Sequence, residues 1–383
     1  MEFIPYGRQS IEAEDEQAVL EVLRSPFLTQ GPKVAEFEQA LCSYTGARYC
    51  LAVASGTAAL HLAVAALELP EGSEGITTPN TFTASANSMI YCGVTPVFAD
   101  IDADSYNISP AAISEKINSR TRLITAVHFA GQAADMPAIA KIANQNKLKV
   151  IEDAAHAIGS CYEDGSRVGN CRYSDLTIFS FHPVKTMTTG EGGAIMTNDE
   201  ALYRKMLLLR SHGITKDPAL LSQNPGPWYY EMQALGWHYR LTDIQAALGI
   251  SQLARIEKFK AKRRTIVATY NEAFNNHTYI TTPKEKTGAN ACFHLYVIQI
   301  DFERLGKSRS EVITQLATYG IGSQVHYIPV HTQPWYQASY GYREGDYPVA
   351  ERYYQHCLSL PLYSAMSEED VQRVICAIRE VIK

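Results

Sequence analysis

The 383-residue chain has no excess of basic residues: 34 Lys and Arg stand against 40 Asp and Glu, a formal net charge of −6. No positive field exists to hold nucleic acid or an anionic membrane, so any anion must be gripped by a local site. Cysteine is sparse, eight in all, and no Cys-x₂₋₄-Cys pair occurs. That spacing supplies no zinc ligand set, no metal is expected, and free thiols among apolar neighbours fit a reducing cytoplasm. Neither GxGxxG nor GxxxxGK[ST] is present, which disfavours a dinucleotide or nucleoside-triphosphate cradle, and the absence of HExxH disfavours a metal hydrolase. One stretch could pass for a membrane span, LAVASGTAALHLAVAALEL at 51–69, but it is alanine-rich and broken by Ser55-Gly56-Thr57. The opening MEFIPYGRQSIEAEDE has no basic region followed by an apolar run, so no signal peptide is expected. Repeats and low-complexity tracts are absent, and 46% hydrophobic against 19% charged residues is the balance of a globular protein.

Between about residues 45 and 200 short β-rich runs alternate with helical patterns. YCLAVA, GITT, VTPVFA, LITAVH, LKVIE, LTIFSF and GAIMT read as strands, with helix-like stretches at 57–68, 110–118 and 135–146. Continuous apolar strands separated by helices predict a mostly parallel sheet covered on both faces. Such sheets place ligands at the carboxyl ends of their strands. Residues 241–274 read as one or two long helices, FHLYVIQI as a later strand, and 309–319 as a helix. In the last helix Val371, Val374, Ile375, Ile378 and Ile382 share one face, and Ser367 with Asp370 has capping-box spacing. The tyrosine-rich stretch 334–354 reads as irregular in its first half. The expected division is an N-terminal arm (1–28) packing with the small domain, a large α/β domain (29–251) and a small α+β domain (252–383).

Three local features carry chemistry. Ser55-Gly56-Thr57-Ala58 joins a strand to a helix, where free N–H groups and the dipole's positive end make an anion seat worth about 0.3–2 kcal/mol; an ordinary strand–helix turn has the same sequence. Asp153 ends the apolar strand of VIEDAAH, where a buried carboxylate needs a partner, or serves as an N-cap. Lys185 follows the strand of FSFHPVK and precedes a glycine-rich return, where desolvation would make it a Schiff-base former; most lysines are merely solvated. Seat, acid and lysine in that order match the phosphate, ring nitrogen and aldehyde of pyridoxal phosphate.

SGTAALHLA, TPNTFTASAN, PVFADID, VIEDAAHAIG, FSFHPVKTMTTGEGG and LTDIQAALGISQL run in order through nearly the whole chain. In them the chain resembles the DegT/DnrJ/EryC1/StrS sugar aminotransferases, fold type I pyridoxal-phosphate enzymes. SPFLTQGP, FSFHPVKTMTTGEGG, QVHYIPVHTQPWY and YPVAERYYQHCLSLPLY are most similar to the branch acting in pseudaminic-acid synthesis. The resemblance implies that Lys185 is catalytic, bonding the cofactor and moving protons. Asp153 would hold the ring nitrogen, His156 the ring hydroxyl, and Phe82 the ring face; a core histidine and a core aromatic are the plain alternatives. Gly56, Thr57, Ala58 and Ser180 would bind the phosphate. Tyr6, Pro26, Phe27, Leu28, Thr29, Gln324, Val325, His326 and Tyr327 would line a nucleotide-sugar cleft, with Gly56 and Ser180 also facing substrate. His182 would pack on substrate or fix its turn, and Arg24, Lys33 and Arg240 could each meet a diphosphate.

One departure stands out. Where the family usually reads Gly-x-Asn-Tyr-Arg, this chain has Gly236-Trp237-His238-Tyr239-Arg240. The family asparagine crosses to the neighbouring subunit's phosphate, so the resemblance implies a homodimer with shared sites and His238 as the crossing donor to cofactor and substrate. The implied reaction moves an amino group from L-glutamate to carbon 4 of a UDP-linked 4-keto-6-deoxy-N-acetylhexosamine, of the UDP-2-acetamido-2,6-dideoxy-β-L-arabino-hex-4-ulose type, in the cytoplasm. The alternatives are a 3- or 4-ketosugar aminotransferase for another nucleotide sugar, or a non-catalytic binding protein, which Lys185 and Asp153 together disfavour.

Overall fold

The computed structural model describes residues 2–286 and 288–383. Seven runs form one sheet: β1 (Tyr49–Val53), β2 (Glu74–Thr77), β3 (Thr95–Phe98), β4 (Thr121–Val127), β5 (Lys149–Asp153), β6 (Leu176–Ser180) and β7 (Gly193–Thr197). Their order is β1-β7-β6-β5-β4-β2-β3. Only β7 runs antiparallel to its neighbours, so the expected mostly parallel seven-stranded sheet is found. Alternate residues feed opposite faces, as the two-residue period of a strand requires. Cys50 and Ala52 join one buried cluster with Val150 and Phe179, while Leu51 and Val53 join another with Ile151 and Ile178.

The helices of this part are α1 (Ala13–Leu23), α2 (Pro32–Thr45), α3 (Gly56–Ala66), α4 (Ala84–Tyr91), α5 (Pro110–Lys116), α6 (Met136–Asn146) and α7 (Glu200–Leu209). A small antiparallel pair, β8 (Ile214–Thr215) and β9 (Glu231–Met232), follows α7. Residues 241–274 resolve into two helices, α8 (Asp243–Ala254) and α9 (Ile256–Phe274). They part at Arg255, whose guanidinium reaches back to Glu12 and Asp15 at the start of α1.

The second unit is a three-stranded antiparallel sheet of β10 (Ile280–Thr281), β11 (Tyr296–Ile300) and β12 (Cys357–Leu360). With it go α10 (Phe302–Leu305), α11 (Arg309–Thr318), α12 (Pro334–Tyr340), α13 (Pro348–His356) and α14 (Glu368–Val381). The capping box of α14 forms between Ser367 and Asp370, and its Val371, Val374, Ile375 and Ile378 are buried. The first half of the tyrosine-rich stretch is ordered, against expectation. α12 starts on Pro334 and stops at Gly341, whose φ of 74° suits glycine, and Tyr336 packs on Phe98 of β3 at 5.8 Å between rings. Tertiary contact, absent from the local pattern, supplies that order.

The arm's Ile4 bridges Ile321 and sits in the second unit's core, whereas α1 packs on α8. Phe259 of α9 belongs to the large sheet's core and Ile266 to the second unit's. We place the division between the units inside α9, beyond residue 251.

Candidate active site

At the carboxyl end of β1, Ser55 caps α3: its Oγ accepts from the Ala58 N–H at 3.1 Å. The N–H groups of Gly56 and Thr57 have no acceptor among the described residues and stand at the positive end of the helix dipole. A Cβ on Gly56 would come within 2.8 Å of the Ser180 Cβ and 3.0 Å of its Oγ. The bare glycine therefore leaves open a cradle, floored by Ser180 at the end of β6, that fits a phosphate. Gly193 at the head of β7 is pressed against it, since a Cβ there would lie 2.5 Å from the Ser55 carbonyl oxygen.

Asp153, at the end of β5, is buried. Its Oδ2 accepts from Ser85 Oγ at 2.6 Å and its Oδ1 from the Ala155 N–H at 3.2 Å. Ser85 is in turn paired with Thr81 Oγ1 at 2.8 Å. A carboxylate has about four lone-pair sites, so this one retains acceptor capacity toward the cavity and fits a protonated ring nitrogen.

Lys185 closes a turn in which its N–H donates to the His182 carbonyl at 2.8 Å, with Pro183 at the position where fixed φ favours such turns. Its Nζ lies 3.5 Å from His294 Nε2. Enclosure in the cavity pulls the Lys185 amine down to about 8, opposed by the negative charge of Asp153. Burial, with the Lys185 charge second, holds His156 and His294 well below the ordinary histidine range and His326 at about 3. Those three imidazoles are neutral at physiological pH. His156 Nε2 meets Tyr327 OH at 3.0 Å, leaving its buried Nδ1 without a partner among the described residues.

These groups line one cavity of about 680 Å³ at the carboxyl ends of the sheet strands. It brings together Lys185, Asp153, His156, Ser180, Gly56 and Thr57. Phe82, His182, Tyr6, His326 and Tyr327 also line it. Ala58 lies just beneath, its N–H already given to Ser55. Pro26, Phe27, Leu28 and Thr29 are exposed on a loop outside this cavity, where Leu28 and Thr29 contact the 242–243 backbone. Gln324 is exposed and paired with Ser359, and Val325 packs in a neighbouring aromatic cluster. His238 is exposed, stacked on His212 at 5.5 Å, and does not reach its own chain's cavity. Four polar cavity residues escaped the sequence reading: Thr81, Ser85, Glu191 and His294. Ser85, three residues beyond Phe82, had a helical-spacing signal, whereas His294 had none beyond being polar at the head of an apolar strand.

Against known proteins, the DegT/DnrJ/EryC1/StrS aminotransferase family matches residues 9–379. The chain is 43% identical to the spore coat polysaccharide biosynthesis protein SpsC of Bacillus subtilis, over 100% of this chain and 97% of that protein. Its structure is similar to that of Helicobacter pylori PseC, an aminotransferase of pseudaminic-acid biosynthesis, with a TM-score of 0.92 and 34% identity over 100% of this chain and 99% of the other. It is also similar to a sugar aminotransferase assigned in Streptococcus pneumoniae, Spr1654 in its PMP form, with a TM-score of 0.91 and 31% identity over 99% and 98% of the two chains.

Proposed function

The chain belongs to the DegT/DnrJ/EryC1/StrS aminotransferase family, and we propose that its acceptor is carbon 4 of a UDP-linked 4-keto-6-deoxy-N-acetylhexosamine. It is a sugar aminotransferase of fold type I and uses pyridoxal phosphate. The proposed amino donor is L-glutamate, the proposed setting cytoplasmic synthesis of pseudaminic acid or a related surface glycan. No described helix is long and apolar enough to cross a membrane. The observation that carries the substrate reading is the joint placement of Tyr6, His326 and Tyr327 in one cavity with Lys185, His326 and Tyr327 standing on QVHYIPVHTQPWY, whose sequence resembles the pseudaminic-acid branch.

Bound pyridoxal phosphate supplies an electron-accepting ring that carries the amino group between donor and sugar. Gly56, Thr57 and Ser180 would hold its phosphate by N–H and hydroxyl donation. Asp153 would keep a proton on the ring nitrogen through a charge-assisted hydrogen bond, a class worth about 1.5–3 kcal/mol. His156 would meet the ring hydroxyl and Phe82 the ring face. Lys185, with an amine near 8, is neutral often enough at physiological pH to take a proton from substrate carbon and return it.

The same reading makes the enzyme a homodimer, with His238 of one protomer reaching the phosphate of the other. A single chain exposes 16898 Å², above the about 15,000 Å² expected of a compact monomer this size. Trp228, Met232 and Leu235 beside β9 are exposed, as is His238 itself. Arg240 disfavours the His238 cation, so the ring would act as a neutral N–H donor.

Single-turnover amination of a panel of nucleotide ketosugars, read by mass, tests the assignment. The UDP-linked 4-ketosugar is expected to react fastest, and Lys185→Ala to react with none while keeping its fold. Faster amination of a dTDP- or GDP-linked ketosugar would overturn the substrate, and turnover by Lys185→Ala would overturn the site.

A further inference from the structure

The second unit sends two imidazoles into the cavity, His326 and His294, and the placement of His294 is heavily determined. Phe293, just before His294, sits at φ 51°, and Ala130, whose carbonyl accepts from the His294 N–H at 2.8 Å, sits at φ 55°. Left-handed backbone is uncommon outside glycine, more so for a bulky residue, and persists where surrounding structure compels it. Gly131 lets the 129–131 turn press in: a Cβ there would lie 2.9 Å from the His294 nitrogen and 3.0 Å from the His156 carbonyl oxygen. Arg263 of α9 is buried and donates to the carbonyls of Phe293 and His294 at 3.3 Å and of Leu362 at 2.9 Å. The His294 ring lies 4.4 Å from the His156 ring. All this brings Nε2 to 3.5 Å from Lys185 Nζ.

We infer that His294 is a positioning residue for Lys185: its imidazole, locked by Ala130, Gly131 and Arg263, donates Nε2–H to the lone pair of the lysine amine and orients it. The tautomer follows from the other nitrogen. Nδ1 is buried with no partner among the described residues, and a bare acceptor there costs less than an orphaned N–H. Other groups act on the amine too. Asp153 from β5 favours its ammonium form, and the rings of His156, from the turn after β5, and His326 are charge-coupled to it. Because burial keeps both rings neutral, His294 is the neighbour whose hydrogen bond favours the free amine. The second unit would thereby set the aim of a lysine carried by the first.

The inference rests on reading Lys185 as the reactive amine, so the test is made on the full chain stripped of cofactor. Acetic anhydride labels neutral amines, and peptide mass gives the labelling of Lys185 against pH, with a midpoint expected near 8 in the parent. His294→Phe keeps the ring volume and removes the nitrogens; the midpoint is expected to rise by about 0.5 pH, the worth of one modest hydrogen bond. His294→Gln, which restores an N–H donor, is expected to move it back toward the parent. A packing role is met by Phe, and an unchanged midpoint in His294→Phe overturns the inference. Should that variant not fold, nitrogen-15 spectra of the parent above pH 8 decide it: an Nε2-protonated His294 supports the inference and an Nδ1-protonated one overturns it. Turnover by Lys185→Ala would instead sink the reading of the lysine and leave the labelling result standing.

Discussion

Glu152 and Asp153 are neighbours on β5, and their side chains leave opposite faces of the sheet. Glu152 is closed in completely. It accepts from His128 Nε2 at 2.7 Å, Tyr162 OH at 2.6 Å, Ser174 Oγ at 2.5 Å and Thr177 Oγ1 at 3.2 Å. His128 Nδ1 accepts from the Ala134 N–H at 3.1 Å, so its Nε2 carries the proton given to Glu152. Burial pushes the Glu152 carboxyl up, but the donors led by His128 outweigh it and leave the group below its ordinary value. Asp153 has two donors, Ser85 and Ala155, and a cavity in front of it. A carboxylate with every lone pair used holds a fold together; one with capacity left over can hold a ligand. The same residue class on the same strand thus serves two ends, and the supply of donors decides which.

The largest test of that contrast is on rate. Asp153→Asn is expected to keep the fold and lose about 10²–10³-fold in kcat, the scale seen when one preorganised electrostatic partner is removed. Steady-state kinetics beside a thermal melt checks it, and parental turnover would make Asp153 only a cap.

Glu152→Gln should do the reverse. Its amide turns an N–H₂ toward donors and leaves buried groups unpaired, costing about 2–4 kcal/mol, while surviving protein keeps most of its kcat. The carboxyl is depressed in the folded state, so its contribution is complete above the unfolded value of 4.5 and is lost as pH falls through the lower folded value. Denaturant titrations from pH 7 to pH 3 should therefore show a shallower acid-side fall in Glu152→Gln than in the parent. A melt like the parent's would erase the distinction between the two carboxylates.

A smaller effect sharpens it. Ser85→Ala removes the 2.6 Å donor to Asp153 and is expected to slow turnover about 10-fold, the worth of one hydrogen bond to a charged group, with Ser85→Thr recovering part. If kcat and its pH profile stay at parental values, Asp153 is held by Ala155 and the strand alone.

Asp153, Lys185 and the Ser55–Gly56–Thr57 seat were legible because each is a local event: an apolar strand stops and a polar residue or a helix start follows. Ser85 and His294 were not, since they come to the cavity from α4 and from the segment before β11, far along the chain from what they touch. α12 was missed for the same reason, its Tyr336 being ordered by Phe98.

By itself the sequence determined the alternation of strand and helix, the sheet that follows from it, and the acid and lysine set at strand ends, all products of short-range sterics and two-residue periodicity. Tertiary structure alone decided how many donors each buried carboxylate receives and which imidazole from the second unit meets the lysine. Hydrogen bonds act over about 3 Å, so those partnerships exist only once distant segments have packed.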